Sequence, residues 1–408
     1  ARKNNMQVKN ALLTIQSQQQ TNREITASAL PIITGSVGMT DYIKIPTSLL
    51  PGEIFGQPAG TYIPVQFGTK YNSTANIQLQ QSLFDGQVFI ALRARPTTIQ
   101  FQTKNLEVTE EAIKTNIYKI YYQLVLSKTQ MDLLDANIAR LQKLDHDANE
   151  LYRNGFAEKL DLDKISVQLS NLQTEKIKAL NNISIGYLGL KTLIGMPVKD
   201  TLVLVDKISE DQVREDFSND TAYQYTDRKD FQYVSLAKKL NEFNIKRYQL
   251  SYIPILSLTG SYSKNAQRNK FDFMGKGDWF TTSYVGLNLA IPIFDGFARS
   301  ARISRSRIEL KMTENQLENL KLSIDGEVEQ SKINFKSSLA TMTFQKKNMQ
   351  LAEAVYNQTK KKFEAGTGSN TEITAAQTDL ITAQTNYITA LYSAIIAKID
   401  YLKATGKL

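Results

Sequence analysis

The pattern of apolar and polar positions predicts two very long helices in the last third of the chain. Between residues 297 and 362, apolar side chains recur three and four positions apart among good helix formers, and no proline follows Pro292. These apolar positions include Leu317, Leu320, Ile324, Val328, Ile333 and Phe335. At 1.5 Å per residue, such a helix extends ~100 Å. A helix of this length cannot surround a compact core, so we expect it to pack lengthwise against other long helices.

The same succession of elements occurs twice, which indicates an internal twofold repeat. The segment Leu83-Phe84-Asp85-Gly86 returns as Ile293-Phe294-Asp295-Gly296, 210 positions later. Glycines that end predicted helices return at a separation of 211, in the pairs Gly155 with Gly366 and Gly195 with Gly406. Upstream of these segments, Pro31 returns as Pro254 at a separation of 223. The separation falls from 223 to 210 between the two strands of each repeat, so the first connection between strands is 13 residues longer than the second.

These separations predict three parts: residues 1–196 form a first repeat, 197–225 an equatorial belt subdomain, and 226–408 a second repeat. Each repeat is expected to contain a helix, two strands, a very long helix, a glycine turn and a further helix. The strands are predicted at about residues 31–43, 72–84, 254–264 and 281–293. A short strand at 201–205 is expected in the belt. Pro96 is interpreted as the point where strand gives way to helix, because proline disrupts helix interiors.

The strands alternate between apolar and polar or small residues, which is typical of an outer-membrane barrel. The predicted lipid-facing residues are Ile77, Leu79, Leu287, Leu289 and Ile291. No stretch has the ~20 apolar residues of a membrane helix, so a membrane crossing would use strands. Four strands cannot close a barrel around a passage, and free edges are prohibitive in lipid. We therefore expect oligomers; a trimer would supply twelve strands.

Composition and charge exclude several functions. The net charge of +9 comes from Lys and Arg residues that are scattered along helices, which favours solvated helix faces over a nucleic-acid surface. Without cysteine, the chain forms no disulfides or thiolate sites. The single histidine, His146, has aspartates on both sides, but adjacent residues diverge around a helix and do not form a metal site. Neither a phosphate loop nor a nucleophile with a base is present, so we expect no cofactor and no enzyme.

Taken together, these motifs resemble the TolC family of outer-membrane efflux proteins over essentially the whole chain. The residues that carry the resemblance are the two Phe-Asp-Gly segments, Arg228-Lys229-Asp230, the turn from Lys362 to Thr367 and the tail from Ala383 to Tyr387. Lys229 replaces the proline of the family's Arg-Pro-Asp motif. The resemblance implies a fold that is mainly α with membrane β: long antiparallel coiled-coil helices form an α-barrel, and a homotrimer closes a twelve-stranded transmembrane β-barrel. It also implies a location in the outer membrane of a Gram-negative bacterium, with most of the chain in the periplasm and with a periplasmic adaptor and an inner-membrane pump as partners.

The resemblance also assigns roles to the two glycine turns. Asp161 and Glu372 each follow a turn glycine by six residues, and the family position implies a pore constriction ringed by six acids in a trimer. The alternative is that these acids cap helix N-termini. The resemblance further implies an adaptor-docking surface made of Asn154, Gly155, Phe156, Ala365, Gly366 and Thr367. Gly368 departs from the family, where a basic residue is common, and this weakens any transfer of gate salt bridges.

The sequence therefore predicts a passive outer-membrane exit duct of a tripartite efflux or type I secretion system, conducting small molecules or polypeptides. The alternative is a structural coiled-coil envelope protein without transport, which accounts for the helices but leaves the alternating strands unexplained. The chain opens inside an amphipathic helix, so we expect further residues upstream of Ala1.

Overall fold

The computed structural model describes residues 1–205, 213, 223–273 and 277–408. Its principal helices are α1 (Met6–Ala27), α2 (Gly86–Arg153), α3 (Lys159–Ile194), α4 (Lys229–Gln249), α5 (Ala298–Glu364) and α6 (Asn370–Ala404). Its strands are β1 (Ile32–Asp41), β2 (Thr47–Pro51), β3 (Tyr62–Gln66), β4 (Tyr71–Phe84), β5 (Ile255–Arg268) and β6 (Phe280–Ala290). The fold is thus mainly helical with a few antiparallel strands, as predicted. The predicted belt at 197–225 lies largely outside the described residues.

The chain forms two compact units, and each combines segments from both predicted repeats. The first unit contains residues 1–16, 100–237 and 312–408, and its described residues are mainly helical. The second unit contains residues 17–99 and 238–311, and it includes all six strands. Helices α1, α2, α4 and α5 contribute residues to both units.

The helical unit buries the apolar stripe that the sequence pattern predicts. Ile324, Val328 and Phe335 of α5 are buried, and Phe335 belongs to a cluster with Leu391 and Ile395 of α6. Ile333, which the same pattern includes, is 58% exposed, because it lies off this stripe. The stripe therefore faces the neighbouring helix, and most of α5 remains exposed.

Pro96 lies inside α2, so its interpretation as a boundary between strand and helix is wrong. Proline lacks the N–H that would donate to the carbonyl oxygen of Leu92, four residues earlier. In the structure, Nε of Arg95 donates to that oxygen at 3.1 Å, so the carbonyl keeps a partner. Arg95 also bonds to Thr26 of α1, while its own carbonyl accepts from Nδ2 of Asn22 at 3.1 Å. These side-chain bonds allow the helix to continue through the proline.

Four strands form one antiparallel sheet in the order β1-β4-β5-β6. The register places the predicted lipid-facing residues Ile77, Leu79, Leu287 and Leu289 on one face. Their neighbours on this face include Ile33, Val37, Leu256, Leu258 and Val285. The opposite face is polar, and there Ser261 donates to Asn76 at 2.8 Å. One face of the sheet is therefore apolar and the other is hydrogen-bonded and polar.

The structure corrects two predicted strands. Ile291 falls beyond β6, which ends at Ala290, because Pro292 cannot donate a ladder hydrogen bond. Residues 201–205 form no strand, although the apolar run from Leu202 to Val205 predicts one. Val203 and Val205 are 70% and 82% exposed, so no neighbour among the described residues covers that side of the segment. A short apolar run alone is therefore insufficient where the described residues supply no partner strand.

The long connection between β1 and β4 contains an unpredicted hairpin. Strands β2 and β3 pair antiparallel, with Leu50 opposite Ile63. The hairpin accounts for the greater length of this connection relative to the one between β5 and β6. Among the described residues, no helix is both long and apolar enough to span a membrane.

We predict that Arg95→Met lowers thermal stability because it leaves the Leu92 carbonyl without its donor, at a cost of about 1–3 kcal/mol. In a Pro96→Ala background the restored backbone N–H satisfies that carbonyl, so the same substitution should cost less. Both backgrounds lose the contact with Thr26, so its effect cancels when the two losses of stability are compared. The measurement is the midpoint of unfolding followed by circular dichroism. An equal loss in both backgrounds would show that Arg95 does not compensate for the proline.

Candidate functional site

The turn after α2 is a Schellman motif, which ends a helix with a glycine in the left-handed conformation. The N–H of Gly155 donates to the carbonyl of Tyr152 at 3.0 Å, and the N–H of Phe156 donates to that of Leu151 at 2.8 Å. Gly155 has φ of 81°, which a side chain would strain. The glycine is therefore required by the turn itself.

The turn after α5 has the same hydrogen bonds. The N–H of Gly366 donates to Phe363 and that of Thr367 donates to Lys362, both at 3.0 Å, and Gly366 has φ of 74°. Gly368 has a separate reason to be glycine, because a Cβ there would lie 2.9 Å from the backbone nitrogen of Phe363. This close approach explains why no basic residue stands at that position.

The six residues of the predicted docking surface, Asn154, Gly155, Phe156, Ala365, Gly366 and Thr367, are all exposed. The polar side chains among them bond locally: Nδ2 of Asn154 donates to the carbonyl of Glu150 at 2.7 Å, and Oγ1 of Thr367 donates to that of Lys362 at 3.2 Å. Phe156 is 81% exposed. Its ring is therefore the main apolar surface that the two turns offer to a partner.

Asp161 and Glu372 lie in the first turns of α3 and α6, as their spacing predicts. Glu372 forms a capping box with Ser369: its N–H donates to Oγ of Ser369 at 3.2 Å, and its Oε2 accepts from the N–H of Ser369 at 3.4 Å. Asp161 is half-buried and lies 3.9 Å from Nζ of Lys164. The capping alternative is thus realised for Glu372, and its carboxylate also remains exposed.

A cleft of about 820 Å³ lies between the two turns, within the helical unit. Its walls carry side chains of both charges: Arg140, Lys143, Lys360, Asp147, Glu150, Asp161 and Glu364. The guanidinium of Arg140 lies 5.7 Å from the ring centre of Tyr356, which also lines the cleft. Asp161 thus faces the space between the turns.

Other charged residues near the turns form local contacts. Arg153 pairs with Glu150 at 3.3 Å and Glu364 pairs with Lys360 at 3.8 Å, so Arg153 and Glu364 do not pair within the chain. His146 is exposed. Within the described residues, no cluster of histidine and acidic side chains has the arrangement of a metal site.

Arg228, from the motif before α4, is buried and has partners that the sequence does not predict. Its guanidinium donates to Oδ2 of Asp230 at 2.6 Å, to Oε2 of Glu327 at 2.9 Å and to the carbonyl of Ala404 at 3.1 Å. Burial alone would lower the pKa of Arg228, but the bonds to Asp230 and Glu327 outweigh it and raise the pKa. The arginine thus joins the start of α4 to α5 and to the end of α6.

A matching contact occurs in the first predicted repeat. Asn5, 223 positions before Arg228, donates through Nδ2 to the carbonyl of Leu193 at 2.7 Å. Leu193 lies 211 positions before Ala404, the separation of the helix-ending glycines. Both contacts therefore join positions that the predicted repeat pairs with each other, one through an amide and the other through a guanidinium.

A buried amide network joins α2 to α6. Nδ2 of Asn137 donates to Oε1 of Gln384 at 2.8 Å, and its Oδ1 accepts from Nε2 of Gln377 at 3.1 Å and from Arg140 at 2.9 Å. Buried polar pairs of this kind favour one register between packed helices. None of these residues was predicted from the sequence, although glutamines seven positions apart within an apolar helix face are a recognisable signal.

Two acids near Arg228 have pKa values displaced in opposite directions. Burial tends to raise the pKa of Asp230, but the hydrogen bond and charge of Arg228 lower it overall. Burial raises the pKa of Glu111, and Arg228 only partly offsets this. The folded protein thus favours ionised Asp230 and disfavours ionised Glu111.

One family model matches the C-terminal part of the chain. Residues 228–407 match the family model described as outer membrane efflux protein. This segment is therefore similar to the outer membrane efflux protein family. Channels of this family are non-enzymatic transport ducts, which confirms the prediction that the chain is not an enzyme. The predicted resemblance to TolC-like proteins is also confirmed.

Individual relatives are distant in sequence but similar in fold. The proteases secretion protein PrtF of Dickeya chrysanthemi is 19% identical over 61% of this chain, and the match spans 54% of PrtF. The outer membrane protein VceC of Vibrio cholerae is 13% identical, with a TM-score of 0.77 over 99% of this chain and 94% of VceC. The CmeC outer membrane channel of Campylobacter jejuni is 16% identical, with the same TM-score over 99% of this chain and 83% of CmeC.

We predict opposite effects from Asp230→Asn and Glu111→Gln at neutral pH. The lowered pKa of Asp230 contributes stability above its unfolded pKa, and this contribution is lost as pH falls through the folded pKa. The raised pKa of Glu111 costs stability as pH rises from its unfolded pKa through the folded one. The unfolding midpoint should therefore fall for Asp230→Asn and rise for Glu111→Gln, and both differences should shrink in acid. Shifts of the same sign at neutral pH would contradict this account.

Proposed function

We propose that three copies of this chain form a passive exit duct in the outer membrane of a Gram-negative bacterium, with most of each chain in the periplasm. The observation that carries the proposal is the four-stranded sheet, which has one largely apolar face and two edge strands that, among the described residues, pair on one side only. In lipid, every backbone N–H and C=O needs a partner within protein, so the edges of β1 and β6 must meet other copies. The apolar face then contacts lipid and the polar face lines the passage.

Three copies fit this requirement because twelve strands enclose a passage whereas four do not. The internal repeat is part of the same proposal. It is supported by the Schellman motifs at Gly155 and Gly366 and by the paired contacts of Asn5 and Arg228. Two equivalent helix turns per chain would place six turns around the axis of the trimer. Channels of this family work as homotrimers, which agrees with the proposal.

The cargo would be small molecules or polypeptides delivered by an inner-membrane pump through a periplasmic adaptor. Family members work with such partners. The description of the matching family, outer membrane efflux protein, favours efflux, while the name of PrtF, a proteases secretion protein, favours secretion. A structural coiled-coil envelope protein is the alternative, but it offers no reason for a sheet with one largely apolar face and one largely polar face.

The two turns would form the periplasmic mouth. Asp161 and Glu372 would ring its constriction, where clustered carboxylates favour cations. The exposed ring of Phe156 and its neighbours at the turns would bind the adaptor. Glu372 can serve both as a cap and in such a ring, because the capping box leaves its side chain exposed.

We predict that the purified protein conducts ions in a planar bilayer, prefers cations and is blocked by divalent cations. The double variant Asp161→Asn, Glu372→Gln should lose the preference and the block. Glutamine can retain the capping box at this position, so the charges are removed while the helix start is kept. An unchanged unfolding midpoint provides the control. Unchanged selectivity and block would place the constriction elsewhere and leave these acids as helix caps.

We also predict that Phe156→Ala combined with Thr367→Ala reduces the amount of adaptor that co-purifies after cross-linking in cells. Neither substitution changes a residue with positive φ, so the turns should remain folded. The matched control is Phe344→Ala, which removes a ring that is 70% exposed on α5. Normal recovery of the adaptor with the double variant would show that the turns serve only to reverse the chain.

A further inference from the structure

The polar face of the four-stranded sheet carries no charged residue. This face consists of the even-numbered residues of β1, of β4 as far as Ser82 and of β6, together with the odd-numbered residues of β5. None of them is charged, although charged residues make up 22% of the chain. The charged residues within these four strands are Asp41, Lys264 and Arg268, and all three lie on the opposite face. The absence of charge is therefore specific to one face of the sheet.

Hydroxyl and amide groups on the polar face bond to one another. Oγ of Ser261 donates to Oδ1 of Asn76, and Oγ1 of Thr74 donates to Oδ1 of Asn265, both at 2.8 Å. These bonds join β4 to β5, and they leave the two Nδ2 groups without a partner among the described residues. Gln78, on the same face, is exposed. The face thus presents hydrogen-bond donors and acceptors in place of charges.

Large apolar side chains are scarce on the polar face and lie near its ends. Ile32 and Ile255 stand near the end of the sheet that leads to the helices, and Phe280 stands near the opposite end. Between these ends, Tyr284 is the only aromatic residue of the face, and its ring carries a hydroxyl. The middle of the face therefore has neither an ionic group nor an extended apolar patch.

A polypeptide in extended form suits such a lining. A stretch as long as β1, which has 10 residues, spans ~33 Å. About a quarter of the residues in an average protein are charged and about half are apolar, so this stretch contains several of each. A charged lining would bind side chains of one sign and repel those of the other, while an apolar lining would hold apolar side chains. Amides and hydroxyls do neither, and they can exchange hydrogen bonds with any peptide group.

Sites for small amphipathic molecules have a different composition. They are lined mainly by apolar and aromatic side chains, with a few polar groups that fix the orientation of the ligand. The polar face has no such lining between Ile32 and Phe280. An unfolded polypeptide therefore fits this face better than a small amphipathic molecule does.

We propose that the cargo of the duct is unfolded polypeptide, and that the sheet-lined section of the passage binds charged and apolar side chains of the cargo equally weakly. This inference rests on the proposed function, in which the polar face lines the passage and the cargo is either small molecules or polypeptides. Selection by charge is then confined to parts of the passage outside the sheet, such as the constriction assigned to Asp161 and Glu372.

The test measures how long short peptides stay in single channels of the full chain in a planar phosphatidylcholine bilayer. Each probe is a glycine- and serine-based peptide of about 12 residues, which spans at most ~40 Å. It is carried on streptavidin, which is too wide to follow it, and it is added on the side of the strand ends farthest from the helices. Three probes, rich in lysine, glutamate or leucine, are compared by residence times extrapolated to zero voltage. We expect the wild-type values to agree within about threefold, because the lining has no charge and no apolar patch.

Two substitutions of Thr282, an exposed residue on the polar face of β6, report whether the probes reach the sheet. Thr282→Glu places one carboxylate per copy on the lining. It should lengthen the residence of the lysine probe and shorten that of the glutamate probe, each by about tenfold. Thr282→Leu should lengthen the residence of the leucine probe alone.

The outcomes separate this inference from the proposed duct. Similar wild-type residence times for the three probes, together with the expected responses of the Thr282 variants, support the inference. Wild-type channels that hold one probe more than about tenfold longer than the others overturn the inference and leave the proposed duct in place. Thr282 variants that alter the residence of no probe, including versions of about 24 residues and ~80 Å, show that the polar face does not line the passage. That result contradicts the proposed duct and, with it, the inference.

Discussion

Unpaired backbone groups at the edges of the four-stranded sheet are the constraint on which the proposed architecture depends. Edge strands β1 and β6 each present a row of N–H and C=O groups without partners inside this sheet. In water such edges cause association, and in lipid each unsatisfied group costs several kcal/mol. In the proposed duct the apolar face lies in lipid, so the edges would require other copies. Oligomerisation would then follow from hydrogen bonding more directly than from any apolar interface.

The helical unit satisfies a related constraint by other means. Each very long helix must end at a defined residue so that the chain can reverse, and the Schellman motifs at Gly155 and Gly366 achieve this. Packed helices can also slide along one another, because apolar contacts repeat every few residues. The buried Arg228 contacts and the amide network around Asn137 prevent this sliding, because a shift would leave buried polar groups without hydrogen-bond partners. Stable turns and fixed registers then hold Asp161 and Phe156 in defined positions.

Much of this fold follows from periodicity in the sequence. A period near 3.6 predicts the helices, and a period of two assigns Ile77 and Leu287 to one sheet face, because both periods express the geometry of a single element. The continuation of α2 through Pro96 was not predictable in the same way. It depends on Arg95 reaching the carbonyl of Leu92, a choice of side-chain conformation that sequence patterns do not contain.

Contacts between residues that are distant in sequence could not be predicted either. Arg228 is recognisable as part of a motif, but its partners Glu327 and Ala404 lie 99 and 176 positions away. The hairpin of β2 and β3 has strands too short to give a clear alternation. Ile291 was misplaced because its apolar character continues the pattern of β6, although Pro292 ends the hydrogen bonding. In each case the missing information concerns a partner, and a single-sequence pattern describes only the element itself.

The most direct test of the central claim is whether β6 of one copy pairs with β1 of another. The chain has no cysteine, so one cysteine at Val37→Cys in β1 and a second scanned along β6 can be oxidised in the reconstituted protein. The account predicts disulfides between copies at one register, in a covalent product that stops at three chains. Disulfides only within a chain, or a ladder of products that continues beyond three chains, would contradict closure of a trimeric barrel.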